Sequence, residues 1–260
     1  SVEDYVRRRG AELAPAAQEC LAVLAVLGPD ASIATLREVC GWSEPQLRTA
    51  LEELVRVGFV DLDGEDVGFT HDLIREAAYR SLTGARRRML HGSVARALMR
   101  RSDASSGSIA MHLELAGEGG SAHAYAVRAI EHYRRVHAYD EADYFYRMAI
   151  GTSGAEEARR ALEAEYGEFL FRTRRYAEAE TLLSRPHEEY EKSGDPRGML
   201  STGVQRLAIR IKQGAAPAES LCRELERMAE LAERLEDVES LVTVNVQLLH
   251  AAHDAGLERV

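Results

Sequence analysis

Lysine is almost missing from this chain: only Lys192 and Lys212 occur, although arginine is plentiful. That scarcity bears directly on function. A phosphate-binding loop ends in Gly-Lys-Ser/Thr, so that backbone N–H groups and a lysine cradle the phosphates. Neither lysine stands in such a context, so nucleotide hydrolysis by this chain alone is not expected. Cysteine is equally scarce. Cys20, Cys40 and Cys222 are odd in number and far apart, which argues against a disulfide framework and against a zinc site. They read as buried thiols acting as small hydrophobes. Long apolar runs are missing too. The longest, Leu21 to Leu27, is far short of the roughly 18 residues a membrane span needs. No basic-then-apolar leader opens the sequence, so a cytoplasmic location is expected. His-Glu-x-x-His and Gly-x-Ser-x-Gly are both absent, which leaves no zinc-protease or nucleophile-elbow chemistry. Gly41-Trp42-Ser43-Glu44-Pro45 fails the latter pattern and reads as a helix cap. No enzyme is expected.

What remains is a soluble balance of 45% hydrophobic and 29% charged residues in a 260-residue chain, enough to bury one large core or two ordinary ones. A net charge of −10 disfavours nucleic acid as a partner of the whole chain, because phosphates are repelled. Apolar residues recur at helical spacing from Pro15 to Leu27, and Gly28-Pro29-Asp30 ends the run. Ser32 suits the N-cap of a short helix to Val39 that Gly41 terminates. Ser43 caps a third helix, with Pro45 in its first turn and Leu47, Ala50, Leu51, Leu54 and Val55 on one face. Phe59 to Leu62 alternates as a strand, Asp63-Gly64 signals a turn, and Val67 to Thr70 returns as the second strand. Three short helices followed by a hairpin predict a winged helix.

Beyond Asp72 the pattern predicts helices only. Leu73, Ile74, Ala77, Ala78 and Leu82 form one stripe, and Met89, Leu90, Val94, Ala97 and Leu98 form another. A polar, glycine-bearing stretch from Ser102 to Ser108 separates them from the helices beyond. Tyr139-Asp140-Glu141-Ala142 recurs thirty-seven residues later as Tyr176-Ala177-Glu178-Ala179. A helical repeat near about 34 residues, with small residues at packing positions, is the tetratricopeptide signature. Later helices are expected over Met199–Ile211, Pro217–Leu235 and Val238–Ala255. The expected fold is mainly α: a winged helix with a small β-hairpin, followed by a tetratricopeptide-like α-solenoid. The expected divisions are 1–83 (winged helix), 84–118 (helical connector) and 119–260 (repeats). Such a stack without a polar capping helix reads as a piece of a longer protein.

Several residues are candidates for chemistry. His71 and Asp72 open a helix straight after the wing, where free N–H groups and a favourable potential welcome an anion. On the residues alone, the favoured reading of His71 is an ordinary polar residue closing the wing. Arg86, Arg87 and Arg88 form the best anionic-partner patch, or else a solvated face. Tyr133, Tyr144 and Phe169, with Tyr125, Tyr146 and Phe171, either line a groove or pack between repeats. His250 and His253, followed by Asp254, could face a metal but make a weak case, and no metal is expected. His132 and His137 share no helix face. The third helix exposes Glu44, Gln46, Arg48, Glu52, Glu53 and Arg56, a mixture without the positive excess that DNA contact requires.

The segment from Phe69 to Tyr79, followed by Arg86-Arg87-Arg88-Met89-Leu90-His91 and Val94-Ala95-Arg96-Ala97-Leu98, resembles the central region of large bacterial regulators. These are signal-transducing ATPases with numerous domains (STAND proteins), including maltose-regulator-like LuxR-type activators and related antibiotic-biosynthesis regulators. Ile109 to Glu118 resembles the step into their tetratricopeptide array. The resemblance is specific from about Leu47 to Glu118 and generic beyond. It implies an order of ATPase core, winged helix, helical-repeat sensor and output domain, with the winged helix packed on the core. It also implies that His71 contacts the phosphates of bound ADP and holds a closed, inactive state. Thr70-His71-Asp72 stands where the best-known motif has Met-His-Asp. The implied partners are the ATPase domain of the same polypeptide and a protein or small-molecule inducer on the repeats. ATP or ADP is expected in the full-length protein and no cofactor in this chain. The alternative is a stand-alone tetratricopeptide scaffold that joins proteins and senses no nucleotide.

Overall fold

The computed structural model describes residues 2–64, 66–214 and 217–254. The chain divides into two compact units, Ser1–Thr152 and Ser153–Val260. Among the described residues it is helical apart from one two-stranded sheet, and no helix is long and apolar enough to cross a membrane.

The first unit opens with α1 (Val2–Ala11), α2 (Pro15–Leu27), a single 3-10 turn (Gly28–Asp30), α3 (Ile33–Cys40) and α4 (Glu44–Arg56). Local chemistry sets these boundaries. Ser32 Oγ accepts from the Thr35 N–H at 3.1 Å at the start of α3, and Gly41, with φ of 67°, supplies the left-handed C-cap. Gln46 and Ser43 form a capping box at α4. That helix buries Leu47, Ala50, Leu51 and Leu54. Strands β1 (Val60–Asp63) and β2 (Asp66–Phe69) pair antiparallel, Val60 opposite Phe69 and Asp63 opposite Asp66. A bridge from Ser32 to Asp66 joins the segment between α2 and α3 to the hairpin. Three helices, a hairpin and that bridge make a winged-helix arrangement.

Helix α1 has no counterpart among the expected elements. Only Val6 is buried on it, so it carries too thin an apolar stripe to register in the sequence. It is held by Tyr5, whose ring meets Phe59 edge-on at 5.9 Å, and by Glu3, which pairs with Arg80 at 3.1 Å. Val55, Leu73 and Met89, expected on buried stripes, are exposed instead. Val55 and Leu73 sit at the edge of their helix faces, and Met89 lies on the side of the helix Gly84–Met99 away from its buried residues.

The unit continues with α5 (Asp72–Ser81), α6 (Gly84–Met99), α7 (Ser106–Ala116), α8 (Gly119–Arg135) and α9 (Tyr139–Thr152). The loop expected from Ser102 to Ser108 is shorter than its composition suggests. Ser105 Oγ accepts from the Ser108 N–H and starts α7, so Gly107 is a helical residue in close contact, not a linker glycine. One continuous core runs from Val6 on α1 to Ala122 on α8. The expected boundaries at 83 and 118 therefore fall inside a single packed body.

The second unit comprises α10 (Glu156–Arg172), α11 (Tyr176–Ser193), α12 (Pro196–Gln213), α13 (Ala218–Arg234) and α14 (Val238–Asp254). The repeat seen in the sequence has a backbone counterpart. The turns joining α8 to α9, α10 to α11, and α13 to α14 each place a non-glycine residue at positive φ: His137, Arg174 and Glu236. Each closes with the same bonds; in the second, Arg174 N–H donates to Phe171 O and Arg175 N–H to Leu170 O. Small residues allow close approach within the second unit. A Cβ on Gly167 would stand 2.4 Å from Leu183 Cδ2, and one on Gly198 would stand 2.2 Å from Tyr190 Cδ1.

Candidate functional site

Helix α5 carries the motif that the sequence singled out. His71 is its N-cap, in extended conformation, and Asp72 is in its first turn. The wing delivers the chain to this point through Thr70, whose Oγ1 donates to Gly58 O at 2.9 Å and whose N–H donates to Phe59 O. The His71 carbonyl accepts from the Ile74 N–H, which fixes the first turn. Both side chains are exposed. Among the described residues neither makes a hydrogen bond or an ion pair. Leu73, the next residue, is 60% exposed. The motif is thus an exposed imidazole on a backbone fixed by the wing and the first helical turn, at a helix end whose potential favours anions.

The same helix reaches the interior through Tyr79, where the structure reveals a cluster that sequence reasoning missed. Tyr79 Oη lies 2.9 Å from His91 Nε2, and His91 Nδ1 lies 2.8 Å from His112 Nδ1. His112 Nε2 then faces Asp30 Oδ2 at 3.6 Å, longer than a hydrogen bond. Asp30 Oδ1 accepts from the Ser108 hydroxyl at 2.9 Å. His91 and His112 are 3% and 1% exposed. One direction of donation suits every hydrogen-bonded member: Tyr79 O–H to His91, then His91 Nδ1–H to His112 Nδ1. The His112 Nε2–H is left pointing at Asp30, and neither of those two atoms has another partner. Burial first, then His112 and the Arg87 guanidinium, push the His91 imidazole down to about 4. The cluster is therefore uncharged on His91 at neutral pH, and it ties α5, α6, α7 and the turn after α2 together. Its signal in the sequence was two histidines flanked by core residues, Leu90 and Val94 around His91, and Ile109 and Leu113 around His112. Only the packing of α6 on α7 shows that they meet.

The arginine run does not form a patch. Successive residues on a helix point about 100° apart, so α6 sends the three side chains to different surroundings. Arg86 pairs with Glu19, and Arg87 lies over the Tyr79 ring at 5.2 Å. Only Arg88 is exposed. The downstream arginines are paired as well: Arg96 with Glu118, Arg100 with Glu38 and Arg101 with Asp103.

The aromatic candidates separate likewise. Phe169 is buried and stacked on Tyr166 within the second unit, which makes it a packing residue. Tyr146 is fully buried. Tyr133 and Tyr144 do come together, around a cleft of about 390 Å³ between α7, α8 and α9. A second cleft of about 520 Å³, bordered by α1, α2 and the end of α5, includes the Arg86–Glu19 pair and lies away from His71.

Among the described residues no group of three histidine, cysteine, aspartate or glutamate side chains could hold a metal. The side chains of His250, His253 and Asp254 lie outside the described residues. Cys20 and Cys222 are buried and Cys40 is half-buried, and all three are free thiols. Burial pushes Cys20 and Cys40 up to about 12, which makes both unreactive.

No protein-family profile matches the chain, and no curated protein sequence matches it. Among solved structures it is similar to a signal-transduction ATPase with numerous domains (STAND), with a tetratricopeptide repeat sensor, from Pyrococcus horikoshii. The identity is 14% and the TM-score 0.42, over 96% of this chain and 46% of that one. The chain thus spans less than half the length of that structure, and a likeness of this degree carries no argument about function.

Proposed function

We propose that the chain is the non-catalytic sensor and control arm of a STAND-type ATPase that regulates transcription. In this reading, binding of a partner or inducer on the helical repeats is coupled to the nucleotide state of an ATPase core in the same polypeptide. The observation that carries it is the position of His71: an exposed imidazole, free of partners among the described residues, held at the N-cap of α5 by the wing that precedes it. Bound ADP would supply phosphate oxygens, and His71 suits them as an N–H donor beside the unpaired N–H groups of the first helical turn. Asp72 beside it disfavours capture of a phosphate by this motif alone, so the nucleotide's other contacts belong to the core. The exposed Leu73 offers apolar surface for that core to cover.

The mechanism is a two-state switch. In the closed state His71 contacts the nucleotide. Ligand binding at the repeats shifts α7 and its neighbours, and the Tyr79–His91–His112 chain passes that shift to α5, withdrawing His71. The chain itself needs no catalytic group for this role.

The stand-alone scaffold reading has one observation in its favour. Val238, Val242, Val246 and Leu249 make an exposed apolar stripe along α14, the sort of face that takes a protein partner. The two readings separate at the gene. A Gly-Lys-Ser/Thr loop encoded in frame upstream of Ser1 supports the switch, whereas an initiator methionine near Ser1 with no ATPase sinks it.

A further inference from the structure

We propose that the cleft between α7, α8 and α9 binds an organic cation, an alkylammonium or guanidinium group held among Tyr133, Tyr144 and Phe145 with Asp140 and Glu141 supplying the countercharge. The rings are fixed relative to one another. Tyr133 and Phe145 stack at 5.4 Å and 4°, and Tyr144 meets Phe145 edge-on at 5.1 Å. The Tyr144 hydroxyl donates to Glu114 Oε2 at 3.3 Å, which holds its ring. Gly107 makes the arrangement possible, since a Cβ there would stand 2.9 Å from Phe145 Cζ and 3.0 Å from Tyr133 Oη. With the Met111 side chain these rings line about 390 Å³, within the range of small-molecule sites. Aromatic faces attract cations and reject anions.

The charges point the same way. Asp140 and Glu141 border the cleft, and among the described residues neither makes a hydrogen bond or an ion pair. Nearby Asp143, by contrast, is paired with Arg147 at 2.9 Å. Among the described residues no basic side chain lines the cleft. After burial, Glu141 and then Asp30 raise the Tyr133 hydroxyl, consistent with negative potential at the ring. The α9 dipole favours acids in its first turn, which accounts for the two carboxylates but not for three rings and a thioether beside them. In the second unit, the cleft around Gly203 and Met228 contains Arg206 and Arg210, already paired with Glu180 and Glu224. Three arginines line that cleft, Arg227 included, which makes it a poor host for a cation.

The site also borders the buried cluster. Ser108 lines the cleft and donates to Asp30, so occupancy is felt one residue from His112. The inference deepens the sensor reading by giving the inducer a chemical class; it rests on that reading for the consequence of binding and not for binding itself.

The test is titration of the intact chain, labelled with methyl-¹³C methionine, by tetramethylammonium chloride, with sodium chloride as the ionic control. A saturable shift of the Met111 methyl resonance is expected, weakened at least ten-fold by Tyr144→Ala and at least five-fold by Glu141→Gln. Both positions are exposed, and unchanged circular dichroism confirms that each variant folds. A parallel titration with N-acetyl-arginine amide separates sources: saturation by free ammonium supports a small-molecule ligand, and saturation by the arginine derivative alone supports a partner's side chain. No saturable shift beyond the sodium control with either probe, or shifts indifferent to both substitutions, overturns the proposal. Because binding is read on this chain alone, failure here is distinct from the absence of an ATPase core.

Discussion

His91 Nδ1 lies 2.8 Å from His112 Nδ1 in the interior of the first unit. Two protonated imidazoles cannot face each other at that distance, since each would present an N–H to the other. The pair therefore holds a hydrogen bond only while one ring offers a lone pair, and its environment selects neutral His91.

That selection sets a pH dependence. His91 is held down to about 4, first by burial and then by His112 and Arg87, against an ordinary value near 6.5. Between those values the unfolded chain takes up a proton that the folded chain refuses, so this contribution to stability is complete above about pH 6.5. It declines as pH falls toward 4 and levels off below. Each ten-fold loss of proton affinity is worth about 1.4 kcal/mol, which makes the whole contribution on the order of 3 kcal/mol. Urea unfolding at pH 7.5, 6, 5 and 4.5 should show the decline, and His91→Phe should be distinctly less pH-sensitive over the same window. An identical pH profile in the variant contradicts this role for the cluster.

Close helix approach gives predictions of opposite sign for the same substitution. Gly198→Ala drives a methyl into the Tyr190 ring and should destabilise by about 1–3 kcal/mol. Gly151→Ala, within α9 with open space around its Cβ position, should stabilise by about 0.5–1 kcal/mol. Denaturation midpoints moving in the same direction for both would refute close packing as the cause.

The repeat turns give a third. Arg174 holds φ of 63°, where a side chain costs roughly 1 kcal/mol. Arg174→Gly should raise stability by up to about 1 kcal/mol, while Arg174→Ala, which keeps the Cβ, should not. Equal effects of the two substitutions would mean that backbone strain is not the cause.

The winged helix should not bind DNA. Glu44, Gln46, Arg48, Glu52 and Arg56 are exposed on α4, but Arg48 is paired with Glu52 and Arg56 with Glu53. A gel-shift of this chain on duplex DNA at low salt is expected to show no complex. A salt-sensitive shift would instead make α4 a reading helix.

The winged helix was legible because its signals are local. Ser32, Ser43 with Pro45, and Gly64 each mark a boundary through chemistry within a few residues, and the structure puts the boundaries there. The recurring Tyr139 and Tyr176 segments marked helix starts for the same reason. What was illegible depends on long-range packing. Gly107 has the composition of a linker, and only the Phe145 ring against it reveals a close contact. Arg86, Arg87 and Arg88 look like a patch when written in a line, and the helix disperses them. His91 and His112 are separated by a helix end, a loop and a helix start, and nothing near either marks the other as its partner. Within the cleft, Tyr133 and Tyr144 could be named from the sequence. Their countercharges, Asp140 and Glu141, stood inside the repeat motif and passed as ordinary first-turn acids.

The sensor reading turns on His71 contacting a nucleotide held by an ATPase core. The decisive measurement is ADP retention, with basal activity, of the polypeptide containing that core, before and after His71→Ala. Weaker ADP retention and leaky activity without inducer are expected in the variant, with its fold unchanged because His71 is exposed and unpartnered among the described residues. Unchanged ADP affinity and unchanged basal activity would contradict the sensor role.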